Sequence, residues 1–167
     1  MNDKMLEIIN ILEKVPEKYI KYNPPASEKE IAEFEKKWNI SLPGDYVELL
    51  MKYNGINLMG NVLLGVPSKH GDPENLDSSY QFEHYDCDNP MPLNLVPFCP
   101  DGFGNHYCFD IQFNKIVFWQ YDCNYSESSP EVVYNTLAAM MQEIFIEWTI
   151  LDDEDLSIIM SEIISKK

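Results

Sequence analysis

"LVPFCPDGFGNHYCFDI", residues 95–111, sets two apolar runs on either side of a short stretch rich in glycine, aspartate and asparagine. Runs of strand length bounded by such residues read as two antiparallel strands around a hairpin turn, with Gly102, Gly104 or Asn105 taking positive φ. A glycine-rich loop can also cradle phosphate, but that chemistry needs a helix after the loop, so that its amide groups and dipole face the anion. Here the loop leads into alternating, strand-like sequence and lacks the Lys and Ser/Thr of a nucleotide loop. The segment is a hairpin.

Outward from it, "KIVFWQY" (115–121) follows as a further strand, and "VLLGV" (62–66) precedes it, with "LNLVPF" (93–98) and "HYCFDI" (106–111) as the hairpin arms. The N-terminal third is helical. Met5, Leu6, Ile8, Ile9 and Leu12 recur at helical spacing over residues 3–14. "SEKE" (27–30) is a capping box for a helix over 28–39 with the stripe Ile31, Phe34 and Trp38. Pro43 suits the first turn of a third helix carrying Tyr46, Leu49, Leu50 and Tyr53, and Asn54-Gly55 supplies a left-handed stop. Residues 67–92 are polar and proline-rich, with a short helix expected in "NLDSSYQFEHYD". Pro130 opens a last long helix with the stripe Val133, Leu137, Met140, Met141, Ile144, Phe145 and Trp148, and residues 152–165 add a small one. Helices, then strands, then helices indicate one α+β domain spanning residues 1–167.

Charge narrows the function. Twenty-eight acidic residues stand against twelve basic ones, giving −16, and every basic residue is lysine. Nucleic-acid binders need a basic footprint in which arginine reads phosphate and guanine, so nucleic acid is not an expected partner. Anionic membranes are excluded by the same sign, and no apolar run has the length of a span. The N-terminal "MNDKMLEIINILEKV" is broken by charges and does not read as a signal peptide, so a cytoplasmic protein is expected. Either a basic protein partner or plain solubility accounts for the acidity.

Reactive groups form no signature. Cys87, Cys99, Cys108 and Cys123 are 12, 9 and 15 residues apart, without the close pair of a zinc site, and read as reduced thiols. His106 and Cys108 share one strand face, with Cys99 across the hairpin and His84 or Cys87 as remote fourth ligands. Tyr107 and Phe109 take the other face, and the segment alone leaves open which face is core. A metal-dependent hydrolase built on Asp101, His106, Asp110 and Asp122 rests on sequence proximity alone, in a chain where acids are everywhere. Neither cofactor nor catalytic residue is assigned. What remains is a surface. Asp72, Asp77, Glu83, Asp86, Asp88 and Asp101 interleave with Tyr80, Phe82, Tyr85 and Phe103, so that carboxylates would steer a partner and aromatic rings anchor it.

"SEKEIAEFEKKWNISLPGDYVELLMKYNGI" and "LVPFCPDGFGNHYCFDI" followed by "KIVFWQYD" together resemble two blocks of the SUKH superfamily, the Smi/Knr-type domains. The resemblance runs over residues 27–122, and the final helix extends the family-like core to about 148. It implies a central, mostly antiparallel sheet flanked by N-terminal and C-terminal helices, and a non-enzymatic role. Bacterial members are largely immunity proteins that bind a toxin, many of them nucleases, and other members are signalling scaffolds. The motif positions Pro43, Asp45, Tyr46, Asn54, Gly55, Gly102, Gly104, Asn105 and Trp119 are then architectural, with Asp101 at the turn. The expected activity is stoichiometric occlusion of a basic toxin domain, and the alternative is an intracellular scaffold without a toxin.

Overall fold

Ser27 caps its helix as the sequence predicts. Its hydroxyl accepts the Glu30 N–H at 3.3 Å, and the Glu30 carboxylate takes the Ser27 N–H at 2.8 Å. The computed structural model describes residues 2–123, 125, 129–152 and 154–166. It places α1 at Asp3–Leu12, α2 at Glu28–Trp38 and α3 at Gly44–Leu50. Asn39, at φ 53°, closes α2 in the left-handed conformation that asparagine tolerates. The predicted stripes face inward: α1 buries Met5, Ile8, Ile9 and Leu12, and α3 buries Tyr46, Leu49 and Leu50, while Leu6 stays exposed.

The expected antiparallel strands are present and form two sheets. Strands β1 (Ile20–Tyr22), β2 (Ile56–Leu58) and β3 (Asn61–Leu63) form one antiparallel sheet in that order. Strands β4 (Leu95–Pro100), β5 (His106–Asp110), β6 (Lys115–Trp119) and β7 (Glu131–Tyr134) form a second, an antiparallel meander. A hydrogen bond from the Leu64 N–H to the Phe98 carbonyl, 2.9 Å, bridges them. The sheet stops at Leu63 because the next backbone groups are taken elsewhere. Asn54 uses its side-chain amide as a strand would use its backbone, donating to the Val66 carbonyl and accepting the Val66 N–H, each at 2.8 Å. The Leu76 N–H takes the Gly65 carbonyl at 2.8 Å, and the Tyr46 hydroxyl donates to the Leu64 carbonyl. A Cβ at position 65 would lie 2.1 Å from the Asn54 carbonyl oxygen, so this approach admits only glycine.

Both faces of the second sheet are covered, which answers the question of sides. Phe98 and Phe109 stack at 3.8 Å and meet Tyr46 in the main core, whereas Cys108, Val117 and Trp119 join Met91 and Leu95 in a smaller core on the reverse face. A bulge between Pro97 and Cys99 shifts the β4–β5 register.

The last long helix starts later than Pro130. Glu131–Tyr134 pairs with β6 as β7, so Val133 lies on a strand; Val-Val-Tyr carries β-branched and aromatic side chains that suit a sheet. Thr136 then caps α5 (Leu137–Met141), accepting the Ala139 N–H at 3.1 Å. A π-type turn (Gln142–Glu147) carries the helix into α6 (Trp148–Asp152), and α7 (Glu154–Ser165) follows; Trp148, expected inside, is exposed. The residue 67–92 segment supplies α4 (Leu76–Gln81), capped by Asn75 and prolonged by a π-type turn over Phe82–Asp86. Among the described residues no helix is long and apolar enough to cross a membrane.

Candidate functional site: a hairpin tip and the face beside α4

The turn between β4 and β5 is organised by one carboxylate. Asp101 Oδ1 accepts the Phe103 N–H at 2.7 Å and the Asn105 N–H at 3.0 Å, while Oδ2 accepts the Asn105 side-chain amide at 2.7 Å. Gly102 and Gly104 stand at φ 81° and 92°, which side chains resist. Asn105 also accepts the Tyr121 N–H at 3.2 Å, tying the turn to the chain after β6. The product is a fixed loop whose tip, Phe103, is 90% exposed. Asp101 is spent inside the turn, and Phe103 is what the turn presents.

Helix α4 is held beside α2. Asp77 accepts from Lys37 at 2.7 Å and from the Trp38 indole at 2.8 Å, and Trp38 in turn stacks on Tyr85 at 5.7 Å and meets Tyr80 at 4.8 Å. Asp72 accepts from Lys21 at 2.7 Å and Asn23 at 2.9 Å, hydrogen bonds that hold its carboxyl below the usual range. Two of the expected steering acids are therefore matched by lysines already. Asp86 and Asp88 remain exposed, as do Phe82 and Tyr85 at 53% and 56%.

Tyr80 and Glu83 are not on this surface. The 76–80–83 spacing turns them inward with Leu76. Tyr80 stacks on His84 at 3.8 Å and donates its hydroxyl to the Leu93 carbonyl at 3.0 Å. Glu83 meets His106 instead, its Oε1 lying 3.7 Å from the ring Nδ1. Burial raises the Glu83 carboxyl and lowers the His106 imidazole to about 4, pushing each towards its uncharged form. The two residues, with Ser78, Ser79, Phe82 and Pro100, line a cleft of about 260 Å³ between α4 and the base of the hairpin. Ser79 has no counterpart in the sequence reading, although it lies one residue before Tyr80 on the same helix.

The alternative constellations do not assemble. Cys99 sits in the main core and Cys108 in the reverse one, and both His84 ring nitrogens face carbonyls, of Tyr80 at 3.0 Å and Pro92 at 3.2 Å. His106 and Asp110 occupy opposite ends of β5, about 13 Å apart at the usual strand rise. Asp110 is engaged with Asn94 and with the Gln112 N–H, both at 3.0 Å, and Asp122 is exposed. Among the described residues no three His, Cys, Asp or Glu side chains converge as a metal site would require. Trp119 packs in the reverse core, and Pro43 precedes α3 with its carbonyl accepting the Tyr46 and Val47 N–H groups.

Tyr46 and Asn54 from the first sequence block and Asp101 from the second fix the loops of this α+β domain. A model of the SUKH type, described as SMI1-KNR4 cell-wall, matches residues 28–139, and this chain belongs to that family. The crystal structure of a protein from Pseudomonas syringae pv. tomato is similar in fold, with a TM-score of 0.62 at 17% identity over 83% of this chain and 96% of that one. The curated proteins contain no match.

Proposed function

We propose that this protein is an immunity protein that binds a basic toxin domain and blocks it by occupying its surface. The observation that carries the reading is the hairpin tip, where Phe103 is held out at 90% exposure by a turn that needs no contact from it. A large ring on a pre-ordered loop costs little further ordering on association. Phe82 and Tyr85 supply further apolar area, Asp86 and Asp88 remain free to steer, and the overall charge of −16 favours encounter with a cationic surface. SUKH-family membership supports a protein partner over a substrate, and the absence of arginine disfavours nucleic acid. The expected setting is the cytoplasm. The family description, which speaks of the cell wall, favours one second reading, an intracellular scaffold.

Co-expression with a toxin C-terminal domain encoded beside this gene separates the two. Rescue of growth and a one-to-one complex, weakened by salt and by Phe103→Ala, is the expected result. A well-expressed toxin neighbour that kills regardless, or a neighbourhood with no toxin, would transfer the assignment to the scaffold.

A further inference from the structure

This chain usually gives its partly buried carboxylates a partner. Glu13 has Lys52 at 2.8 Å, Asp72 has Lys21 at 2.7 Å and Asp77 has Lys37 at 2.7 Å. Glu83 breaks the pattern. Its side chain is only 5% exposed, its Oε2 has no hydrogen-bond partner, and Oε1 stands 3.7 Å from His106 Nδ1, beyond hydrogen-bond reach. His106 Nδ1, on a side chain 9% exposed, is unpartnered too, and so is Ser79 Oγ. Native structures leave only a few buried polar groups orphaned, and of the six such side-chain atoms among the described residues three belong to residues lining a single cleft.

We propose that this cleft is a recognition subsite for an arginine side chain presented by a protein partner. With Glu83 ionised and the neutral His106 carrying its proton on Nε2, Glu83 Oε2 and His106 Nδ1 are acceptors and the Ser79 hydroxyl can accept as well, and a guanidinium is a planar fork of five donors with no acceptor to waste. Phe82 and Pro100 line the same cleft and offer flat, apolar surfaces on which that plane can lie. A phosphate or carboxylate is disfavoured by Glu83 and by Glu74 at the rim, and a metal ion would find too few ligands among the described residues. Nor can the chain fill the cleft from within, since it contains no arginine. Burial already keeps His106 neutral at neutral pH, leaving one ring nitrogen able to accept, and a guest cation would return Glu83 to its ionised form. The partner as source of the arginine rests on the immunity reading; recognition of the guanidinium itself does not.

The test therefore needs no toxin. The whole protein, isotope-labelled, is titrated with Nα-acetyl-arginine amide and followed by NMR at the His106 ring and the Ser79 and Glu83 amides. Saturable shifts at those three positions are expected, smaller for the lysine analogue and absent for the citrulline analogue, which matches arginine in length but carries no charge. Glu83→Gln should weaken binding by about tenfold or more, as loss of a charge-assisted pair does. Ser79→Ala should weaken it less, and Asp155→Asn, which alters an exposed carboxylate on α7 that does not line the cleft, should leave it unchanged. Equal response to citrulline, shifts that never saturate, or a folded Glu83→Gln protein that binds as before would overturn the proposal. If arginine binds but no toxin is neutralised, the cleft stands and the immunity reading falls; if a toxin is neutralised equally by wild type and Glu83→Gln while arginine fails to bind, the reverse holds.

Discussion

Replacing Asn54 by alanine removes a side chain that stands in for a strand. Two hydrogen bonds of 2.8 Å are lost, and the N–H and carbonyl of Val66 are each left without a partner in a fully buried site. Stranding a buried donor or acceptor costs about 1–3 kcal/mol each, so Asn54→Ala should destabilise by about 2–6 kcal/mol. That is a large part of the 5–15 kcal/mol or so that holds a typical domain together. In urea, at a slope of about 2 kcal/mol/M, the unfolding midpoint should fall by about 1–3 M. Asn57→Ala is the control: Asn57 accepts the Gly60 N–H at 3.0 Å in an exposed turn, where water replaces it, and about 1 kcal/mol or less should be lost. Gly65→Ala attacks the same junction by pressing a methyl group against the Asn54 backbone. Because both variants break one bridge, the double variant should cost less than the two single costs added. A midpoint for Asn54→Ala that matches the Asn57→Ala control would refute the reasoning.

Three further outcomes follow from other parts of the molecule. Ser27→Ala should cost about 1 kcal/mol in the same urea assay by opening the capping box, and Ser27→Asp should recover most of it. His106, lowered by burial from an ordinary 6.5 to about 4, binds its proton more weakly folded than unfolded, so its contribution is intact above pH 6.5 and is lost as the pH falls towards 4. Glu83, raised by burial, takes up a proton in the folded state and opposes part of this loss. Denaturation at pH 6.5 and pH 4 should show wild type losing more stability than His106→Gln, by up to about 3 kcal/mol; equal losses would contradict a neutral buried imidazole. Cys99 and Cys108 are fully enclosed with thiols raised by burial, whereas Cys87 and Cys123 are half-buried, so a thiol reagent should label two sites in native protein and the other two only on unfolding.

The elements with strong local chemistry were readable from sequence. Ser27 and Glu30 announce a cap because the two hydrogen bonds need only a three-residue spacing, and Asp101 to Asn105 announce a turn because glycine at positive φ has few other uses. Strands β1 and β2, three residues each, are too short to show an alternation, and they exist because they pair with each other. Strand β7 was absorbed into the following helix because Val133 falls by chance in phase with Leu137 and Met140. In the candidate site, the rings of Phe82, Tyr85 and Phe103 are exposed, whereas Tyr80 and Glu83 are buried. Their inward turn was available in the Leu76, Tyr80, Glu83 spacing, but a glutamate in a buried stripe reads as a surface residue until its neighbours are known. The meeting of Glu83 with His106 joins segments 23 residues apart in the chain and has no local signal at all.

The turn at Asp101 separates what shapes the loop from what the loop displays. Every hydrogen bond that fixes it comes from Asp101, Asn105 or the main chain, and position 103 contributes only its backbone N–H. The side chain there can be exchanged for another with almost no effect on folding. A lineage could therefore try new tips one residue at a time while inheriting the same loop, and natural variation should gather at 103 while 101, 102, 104 and 105 stay constant.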